Sequence, residues 1–450
     1  MKQSVSSRRN FLKRNSMAGL GALLVYNLGC TNAGSADSKK GPVAPEGTKP
    51  ITTVAGMPLD QLRDWYHAEL FDRFLPNMDK SVVDHEYGGF MCTVDIRTGE
   101  VLGTTKRAWY EGRGIWVYSY LYNNLEKNPD YIKVAGKSKD FILKNQPSGN
   151  DFWNGSFSRD GNPLSGPGDI YGSLFVAEGL AEYAKATGEH EYRVMAKKIA
   201  LSCLDRYDQP DYHYHMSYLR PTATDYAGPR VLGHWMIFLR LATQMLEIEP
   251  DADMEKLAMR CTDAIMNYHL NPEINVLISG LNHDMTFRKD EFEYFSQIGH
   301  GIETLWMVMA EALRRKDDGL FNKAADLFKR HVTIAHDDVY GGYFDSLKNI
   351  NTYEWGVEKV LWLMEEVMTG AMILMEHKAD PWAEKVYSET LAYVKDKFSY
   401  PSYKFWTETG DRKVNNIQMN RAEHYHHPRH LMIGLMALDR MISKGGKASG

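Results

Sequence analysis

The chain has 450 residues, of which 43% are hydrophobic and 25% charged, with a formal net charge of -5. These values are ordinary for a soluble globular protein and predict no basic surface for DNA or RNA, so we expect no nucleic-acid partner. Aromatic residues make up 12% of the chain. Most should fill a large core, but such rings also suit a pocket for a polyhydroxylated ligand.

Residues 1–30 are typical of an export signal and are left out of the fold prediction. The run Ser7-Arg8-Arg9-Asn10-Phe11-Leu12-Lys13 resembles the twin-arginine signature, and an apolar run from Met17 to Leu28 follows it. That run is shorter than the roughly 20 residues a membrane span requires. Leu28-Gly29-Cys30 resembles a bacterial lipoprotein cleavage site. We therefore expect an exported bacterial protein, periplasmic or membrane-anchored, whose membrane contact is a lipid at Cys30.

Residues 31–57 have no apolar periodicity and are predicted to form a flexible tether. Beyond the leader only Cys92, Cys203 and Cys261 remain, without CxxC spacing. This pattern predicts neither a disulfide framework nor a thiolate metal site. Because no Pro- or Ser-rich linker divides the rest, residues 58–443 are expected to form a single domain.

From residue 58 onward, apolar residues recur at helical spacing in about twelve segments. They begin near Leu59, Lys106, Tyr131, Asp169, Glu191, Gly228, Asp253, Phe295, Leu320, Tyr353, Pro381 and Arg421. The cadence is about 32 residues per helix and connection, which is close to that of helical arrays. It predicts an all-α fold, an (α/α)6 barrel or toroid of six helical hairpins.

One Gly-rich turn occurs twice in the chain. Asp84-His85-Glu86-Tyr87-Gly88-Gly89-Phe90 has a counterpart in His336-Asp337-Asp338-Val339-Tyr340-Gly341-Gly342-Tyr343-Phe344. Both precede short alternating runs, which predicts short β-hairpins at one rim of the ring. Because glycine accepts positive φ, we interpret the repeat as structural rather than catalytic.

Residues 105–116 combine cations, aromatic rings and glycines at the predicted start of an inner helix. Arg113 in this segment can present a fork of donors to a sugar oxygen or to a developing enediolate. Taken alone, the segment is equally compatible with a surface arginine in an ion pair.

The stretch Ser-Gln-Ile-Gly-His-Gly-Ile-Glu-Thr-Leu-Trp at 296–306 is typical of a loop entering a helix, with His300 and Glu303 on one face. A neighbouring carboxylate can fix the tautomer of an imidazole and raise its basicity, which prepares a general base. The histidine-rich stretch at 424–430 offers a second proton-transfer group. His426 is the preferred residue there, with His424 and His427 as alternatives. Pro428 favours a fixed loop over helical metal ligands.

These motifs resemble the N-acylglucosamine 2-epimerase superfamily, which also contains cellobiose 2-epimerases and aldose-ketose isomerases. Residues 106–116 resemble its Lys-x-x-Trp-x-x-Gly-Arg-x-x-Trp segment, and residues 299–306 resemble Gly-His-x-x-Glu-x-x-Trp. Residues 426–429 resemble the closing His-x-Pro-Arg, and residues 359–366 the segment between. The resemblance extends in order over residues 58–442.

The resemblance implies an (α/α)6 barrel and a cofactor-independent enzyme that needs no metal. It would remove the proton at C2 of a ring-opened aldose, of the N-acylglucosamine, glucose/mannose or cellobiose type, and form a cis-enediolate. Return of the proton to C2 from the opposite face gives the epimer, whereas delivery to C1 gives the ketose. The sugar is the expected small-molecule partner, and the protein is expected to be a monomer or homodimer.

By the same resemblance, His300 and His426 transfer protons, Glu303 orients His300 and Arg113 contacts the sugar. His234 resembles a histidine that assists ring opening in some branches, although a structural role for it is equally plausible. The implied substrate-binding residues are His234, Trp109, Trp116, Trp306, Trp362, Glu366 and Arg429.

Two alternatives remain open at this point. A glycoside hydrolase or lyase on the same toroid would need two carboxylates flanking a cleft. The available carboxylates are Asp169, Glu178, Glu303 and Glu366. A non-catalytic sugar-binding lipoprotein is the second alternative, motivated by the export signal.

Overall fold

The computed structural model describes residues 48–148, 151–215, 225–290, 292–413 and 418–449. The predicted export signal and the first part of the predicted tether lie outside the described residues. Within these ranges, no helix combines the length and apolar character that crossing a membrane requires.

Twelve helices, some continued by π-helical segments, follow one another through the described residues. They are α1 (Leu59–His67, continued by Ala68–Phe74 and Leu75–Ser81), α2 (Ala108–Asn124), α3 (Pro129–Lys144), α4 (Ile170–Thr187), α5 (His190–Tyr207), α6 (Leu232–Ile248), α7 (Ala252–Asp263, continued by Ala264–Tyr268), α8 (Ile298–Arg315), α9 (Asp318–Ala335), α10 (Leu361–Lys378), α11 (Pro381–Lys397) and α12 (His426–Ser443). The even-numbered helices pack side by side in an inner ring, and each odd-numbered helix covers one of them from outside. The predicted (α/α)6 barrel is confirmed.

The first and last described helices close the ring, because the outer helix α1 packs against the last inner helix, α12. Inner helices are buried on most of their surface: every residue of α4 from Ile170 to Ala184 is buried. The outer helices α3, α7 and α11 are amphipathic instead, and each begins at an Asn or Asp side chain that accepts backbone N–H groups. These patterns explain why the periodicity predicted the helices.

Sixteen short strands form eight antiparallel pairs in the described residues. The pairs are β1 (Thr53–Val54) with β2 (Met57–Pro58), β3 (Thr93–Val94) with β4 (Val101–Gly103), β5 (Lys106–Arg107) with β6 (Ser156–Phe157), β7 (His213–His215) with β8 (Asp225–Ala227), β9 (Arg230–Val231) with β12 (Gly280–Leu281), β10 (Leu270–Asn271) with β11 (Val276–Leu277), β13 (Ser346–Asn349) with β14 (Glu354–Gly356), and β15 (Lys359–Val360) with β16 (Thr409–Gly410). Strands β5, β9 and β15 lead directly into the inner helices α2, α6 and α10. They fix where these helices start.

The repeated Gly-rich turn has the same construction in both places. In the first copy, buried Lys106 donates to Asp84 Oδ2 at 2.9 Å and to the Gly88 carbonyl, and Arg159 also donates to Asp84. In the second copy, Lys359 donates to Asp337 and the Gly341 carbonyl, and Arg412 donates to Asp337. The glycines at 88, 89, 341 and 342 all have positive φ. In each copy, therefore, a lysine on β5 or β15 holds the Gly-rich turn through its bonds to the aspartate and the glycine carbonyl. We call this arrangement a Lys–Asp clamp.

The folded region begins earlier than predicted. Ile51 and Val54 are buried, and the Ile51 amide donates to the Gly446 carbonyl at 2.8 Å, next to the end of α12. The prediction of a flexible tether is thus wrong for residues 51–57, because a two-residue strand is too short to show periodicity. At the other end, the Ser449 amide donates to the Glu376 carbonyl, so the fold continues past residue 443.

Candidate active site

The six inner helices begin at one end of the barrel, and their first turns surround a cavity of about 450 Å³. Its polar lining is rich in ionisable groups. These are Arg113, Asp169, Arg240, His300, Glu303, Glu408, Arg421, Glu423, His426 and Arg429. Six aromatic rings also line the cavity, namely Trp109, Tyr171, Phe175, Tyr214, Trp362 and Tyr425.

His300 and His426 face this cavity from helices α8 and α12, on the two sides of α10. Trp362, in the first turn of α10, lies between them, with its ring centroid 5.5 Å from His300 and 5.6 Å from His426. His300 is half-buried and His426 is 8% exposed. The two predicted proton-transfer residues are thus brought together at one cavity.

The electrostatics of His300 differ from the prediction in one respect. Burial lowers the pKa of His300, Glu303 opposes that effect, and Arg113 adds to the lowering. The net pKa is therefore lower than the ordinary value rather than higher. His300 is a neutral imidazole at neutral pH, and Glu303 offsets part of the cost of protonating it.

Glu303 also takes part in a buried ion-pair network. Arg429 donates to Glu303 Oε1 at 2.6 Å and to Glu366 Oε1, while Trp306 Nε1 donates to Glu366 Oε2 at 2.6 Å. Burial raises the pKa of Glu366 to about 8, whereas Arg429 overrides burial and lowers the pKa of Glu303 to about 2. One carboxylate is charged, and the other keeps its proton.

Glu303, Glu366 and His426 have ligand atoms within 4.8 Å of one another, a spacing that suits a metal ion. The guanidinium of Arg429 already donates to both carboxylates of this group. An arginine between two carboxylates supplies the positive charge that a metal would bring.

His426 has a carboxylate partner that the sequence analysis missed. Its Nδ1 lies 3.2 Å from Glu423 Oε2, while Glu423 Oε1 accepts the backbone N–H groups of Tyr425 and His426. Burial lowers the pKa of His426 to about 4 although Glu423 opposes it. Glu423 lies three residues before His426, the mirror of the His300/Glu303 spacing, and this spacing could have indicated it.

The other histidines of the cluster have structural partners outside the lining. His424 Nε2 lies 3.0 Å from the Tyr110 carbonyl, His427 Nδ1 lies 2.5 Å from Glu365 Oε1, and His430 Nε2 lies 2.6 Å from the Tyr66 hydroxyl. Of the four, His426 is the one that lines the cavity. The predicted fixed loop is wrong, since α12 starts at His426. Pro428 lies in the first turn, where its missing N–H costs nothing.

Arg113 is held by aromatic faces. Its guanidinium carbon lies 4.2 Å from the Phe175 ring centroid, 4.6 Å from that of Tyr425 and 5.2 Å from that of Trp109. Burial lowers the pKa of Arg113. Packing of this kind holds the cation in place and leaves its donors for a ligand.

Four predicted substrate-binding residues lie outside the lining. Trp116 donates to Gln244 Oε1 at 3.0 Å, and Trp306 and Glu366 bond each other one layer below the cavity. His234 is fully buried behind Tyr171 and Tyr214, with ring centroids 4.7 and 4.6 Å away. This geometry does not provide the predicted direct sugar contacts for Trp116, Trp306, Glu366 and His234. Trp109, Trp362 and Arg429 do line the cavity.

A second charged group on the wall was also missed by the sequence analysis. Arg421 donates to Glu423 Oε2 at 3.1 Å, and its Nε lies 3.4 Å from Glu408 Oε1. Glu408 directly precedes β16, and Arg421 lies between β16 and α12. The sequence pattern does not mark Glu408, and it marked Arg421 only as the start of a helical segment. The cavity therefore has a wall built from Glu408, Arg421, Glu423 and His426.

Residues 88–428 match the model of a protein family described as N-acylglucosamine 2-epimerase (GlcNAc 2-epimerase). The chain belongs to this family. It is 22% identical over 373 residues to the N-acylglucosamine 2-epimerase of Bos taurus, covering 77% of this chain and 84% of the relative. It is 22% identical over 371 residues to the cellobiose 2-epimerase of Bacteroides fragilis, covering 79% and 93%.

The chain also shares its fold with a solved structure. The structure of cellobiose 2-epimerase from Bacillus thermoamylovorans B4167 superposes with a TM-score of 0.73 at 17% identity. The match covers 84% of this chain and 99% of that one. At this level of identity, the likeness concerns the barrel rather than the substrate.

Proposed function

We propose that the protein is a cofactor-independent carbohydrate 2-epimerase or aldose-ketose isomerase acting at C2 of a ring-opened aldose. The observation that carries this proposal is the placement of His300 and His426 at one cavity, on the two sides of Trp362. Family membership supports the same reaction class.

The chemistry follows from the protonation states. A neutral imidazole takes the proton at C2, and the enediolate that forms is stabilised by the Arg113 guanidinium. Delivery of a proton from the other side inverts C2, which requires a second imidazole. Delivery to C1 can use the first one. An arrangement with two imidazoles at one cavity therefore favours epimerisation. Against the effect of burial, Glu303 raises the pKa of His300 and Glu423 raises that of His426, so each histidine has a carboxylate that stabilises its imidazolium.

The four candidate carboxylates do not form a pair that flanks the cavity, as glycoside hydrolysis requires. Glu366 is bound by Arg429 and Trp306, and Glu178 accepts hydrogen bonds from Arg240 and the Tyr425 hydroxyl. Glu178 and Glu366 also lie outside the lining. Of the four candidates, only Asp169 and Glu303 face the cavity, and Glu303 is bound by Arg429.

The substrate is a reducing sugar, and the names of the relatives point to N-acylglucosamine or cellobiose. The test is to incubate the chain lacking residues 1–30 with glucose, mannose, N-acetylglucosamine or cellobiose in deuterated water. At least one of these sugars should acquire deuterium at C2, and the product should be its epimer or ketose. His300→Asn and His426→Asn should each abolish turnover, while His190→Asn, an exposed histidine on α5, should leave it unchanged. Release of new reducing ends without deuterium at C2 would instead indicate a hydrolase.

The proposal includes export. It is supported by the twin-arginine-like run at 7–13 and the lipoprotein-like site at Cys30. Replacing Arg8 and Arg9 by Lys should retain the protein in the cytoplasm, and Cys30→Ala should remove labelling by a fatty acid. Fatty-acid labelling that persists in Cys30→Ala would exclude that anchor.

A further inference from the structure

Glu408 occupies a fixed position on the cavity wall. It directly precedes β16, and its backbone carbonyl accepts the Leu361 amide at 2.8 Å, which ties it to the start of α10. The side chain lines the cavity and is 8% exposed. Within the described part of the chain, its Oε1 has no hydrogen-bond partner, and Arg421 Nε lies 3.4 Å away.

Glu408 and Glu423 share one guanidinium unequally. Glu423 accepts two backbone N–H groups and the Arg421 Nη2. Burial would raise its pKa, but His426, and after it Arg421 and Arg113, bring the pKa well below the ordinary range. Burial raises the pKa of Glu408 to about 8, Glu423 and Glu365 add to this, and Arg421 and Arg113 oppose it. Because Arg421 is hydrogen-bonded to Glu423, burial and the neighbouring Glu423 charge favour the protonated form of Glu408.

The proposed reaction begins with an open-chain aldehyde, but aldoses in water are almost entirely cyclic. Opening a pyranose requires an acid at the ring oxygen and a base at the anomeric hydroxyl. His234, the residue that the sequence resemblance suggested for this step, is buried outside the lining. Glu408 lines the cavity in the same wall as His426, and its raised pKa favours the protonated form at neutral pH.

We infer that Glu408 is the acid that opens the sugar ring, with His426 as the base. The inference rests on the proposed function and adds a catalytic residue to it. Glu408 gives its carboxyl proton to the ring oxygen while His426 takes the proton of the anomeric hydroxyl. The bond between C1 and the ring oxygen breaks, and the C1 carbonyl forms. Glu408 is then a carboxylate and His426 an imidazolium, so the net charge is unchanged.

This step prepares the next one. Neutral His300 removes the proton at C2, and the imidazolium of His426 returns a proton to C2 from the other side. For ring closure, the Glu408 carboxylate takes the proton of the hydroxyl at C5, and the protonated His300 gives its proton to the carbonyl oxygen as the ring bond re-forms. All three groups are back in their starting states. The cycle balances without a proton from solvent.

Anomer exchange tests the inference separately from C2 chemistry, because opening and closing the ring interconverts the α and β forms. Two-dimensional exchange NMR on D-glucose, D-mannose, N-acetylglucosamine and cellobiose measures it with the full mature chain. Wild type should accelerate anomer exchange above the buffer rate for the sugar that exchanges at C2. Glu408→Gln should lose about 100-fold or more of that acceleration, the contribution of a positioned acid. Glu111→Gln, a buried carboxyl bonded to Ser138 outside the cavity, should retain it.

His300→Asn separates the ring-opening inference from the proposed C2 chemistry. It should lose deuterium exchange at C2 and keep anomer exchange, since ring opening does not use His300. The inference is overturned if wild type fails to accelerate anomer exchange, or if Glu408→Gln matches it, even when C2 exchange is present. Should Glu408→Gln fail to fold, the wild-type pH profile decides. Anomer exchange must decline as pH rises through about 8, where Glu408, facing Arg421, Glu423, Glu365 and Arg113, loses its proton. A flat profile there also overturns it.

Discussion

Arg429, on the last inner helix, donates a hydrogen bond to Glu303 on α8 at 2.6 Å. The same guanidinium donates to Glu366 on α10, so three inner helices meet at one buried cation. Arg429, three residues after His426, thus keeps Glu303, the carboxylate beside His300, charged. The two ends of the proton-transfer site are electrostatically coupled through Arg429.

We expect Arg429→Met to reduce the free energy of unfolding by about 3–5 kcal/mol, because it leaves the buried Glu303 carboxylate without a cation and Glu366 without the donor at its Oε1. The measurement is urea denaturation at pH 7. Arg429→Lys should lose less, since it keeps the charge but not the forked geometry. Arg315→Met, at the partly exposed end of α8, is the control and should change stability by no more than about 0.5 kcal/mol. Equal stability of Arg429→Met and wild type would contradict the proposed coupling.

Glu423→Gln should lower kcat by about 10²- to 10⁴-fold, the contribution of positioned proton transfer, because His426 loses the carboxylate at its Nδ1. Glu423 raises the pKa of His426, so its removal should also shift the acid limb of kcat/KM to lower pH. Glu423→Asp should recover part of the activity. A loss of kcat with an unmoved pH profile would indicate a merely structural role.

The pH dependence of turnover should reflect imidazoles whose pKa values are lowered by burial. A base with a lowered pKa stays neutral at lower pH, so activity should persist well below pH 6.5. It should fall only as pH drops through the folded pKa of His426, about 4. The measurement is kcat/KM between about pH 3 and 7, with circular dichroism confirming that the protein is folded. An acid limb near 6.5 would show that the histidines are solvated like free imidazole.

The two Lys–Asp clamps should contribute similarly to stability. Lys106→Met and Lys359→Met should each cost about 3 kcal/mol, the lower end for a broken buried pair, since Arg159 or Arg412 still neutralises the aspartate. Arg159→Met should cost less, because Arg159 is 39% exposed. Thermal and urea unfolding measure the stability of all three variants. A Lys106→Met variant as stable as wild type would mean that the repeat is not a clamp.

Much of the barrel follows from the sequence because helical periodicity is a local property. Helical spacing predicted the twelve segments and placed His300 and Glu303 on one face of a helix. Glu408 was not predicted, because it lies on an irregular segment next to the β15–β16 pair. The predicted sugar-binding residues Trp116, His234, Trp306 and Glu366 lie outside the lining for a related reason: being near the cavity along a helix does not place a side chain on its wall. Glu303, His426 and Arg113 were predicted by spacing and resemblance, but the direction of the His300 pKa depends on burial, which spacing does not reveal.

The hydrogen bond between Ile51 and Gly446 places the first described residues next to the end of α12, where the inner helices finish. Because α10 and α12 are each 18 residues long, this face lies about 27 Å from the mouth of the cavity. A support, fluorophore or fusion partner joined ahead of residue 48 would sit beneath the barrel. Immobilisation through that end should therefore leave sugar entry and release unobstructed.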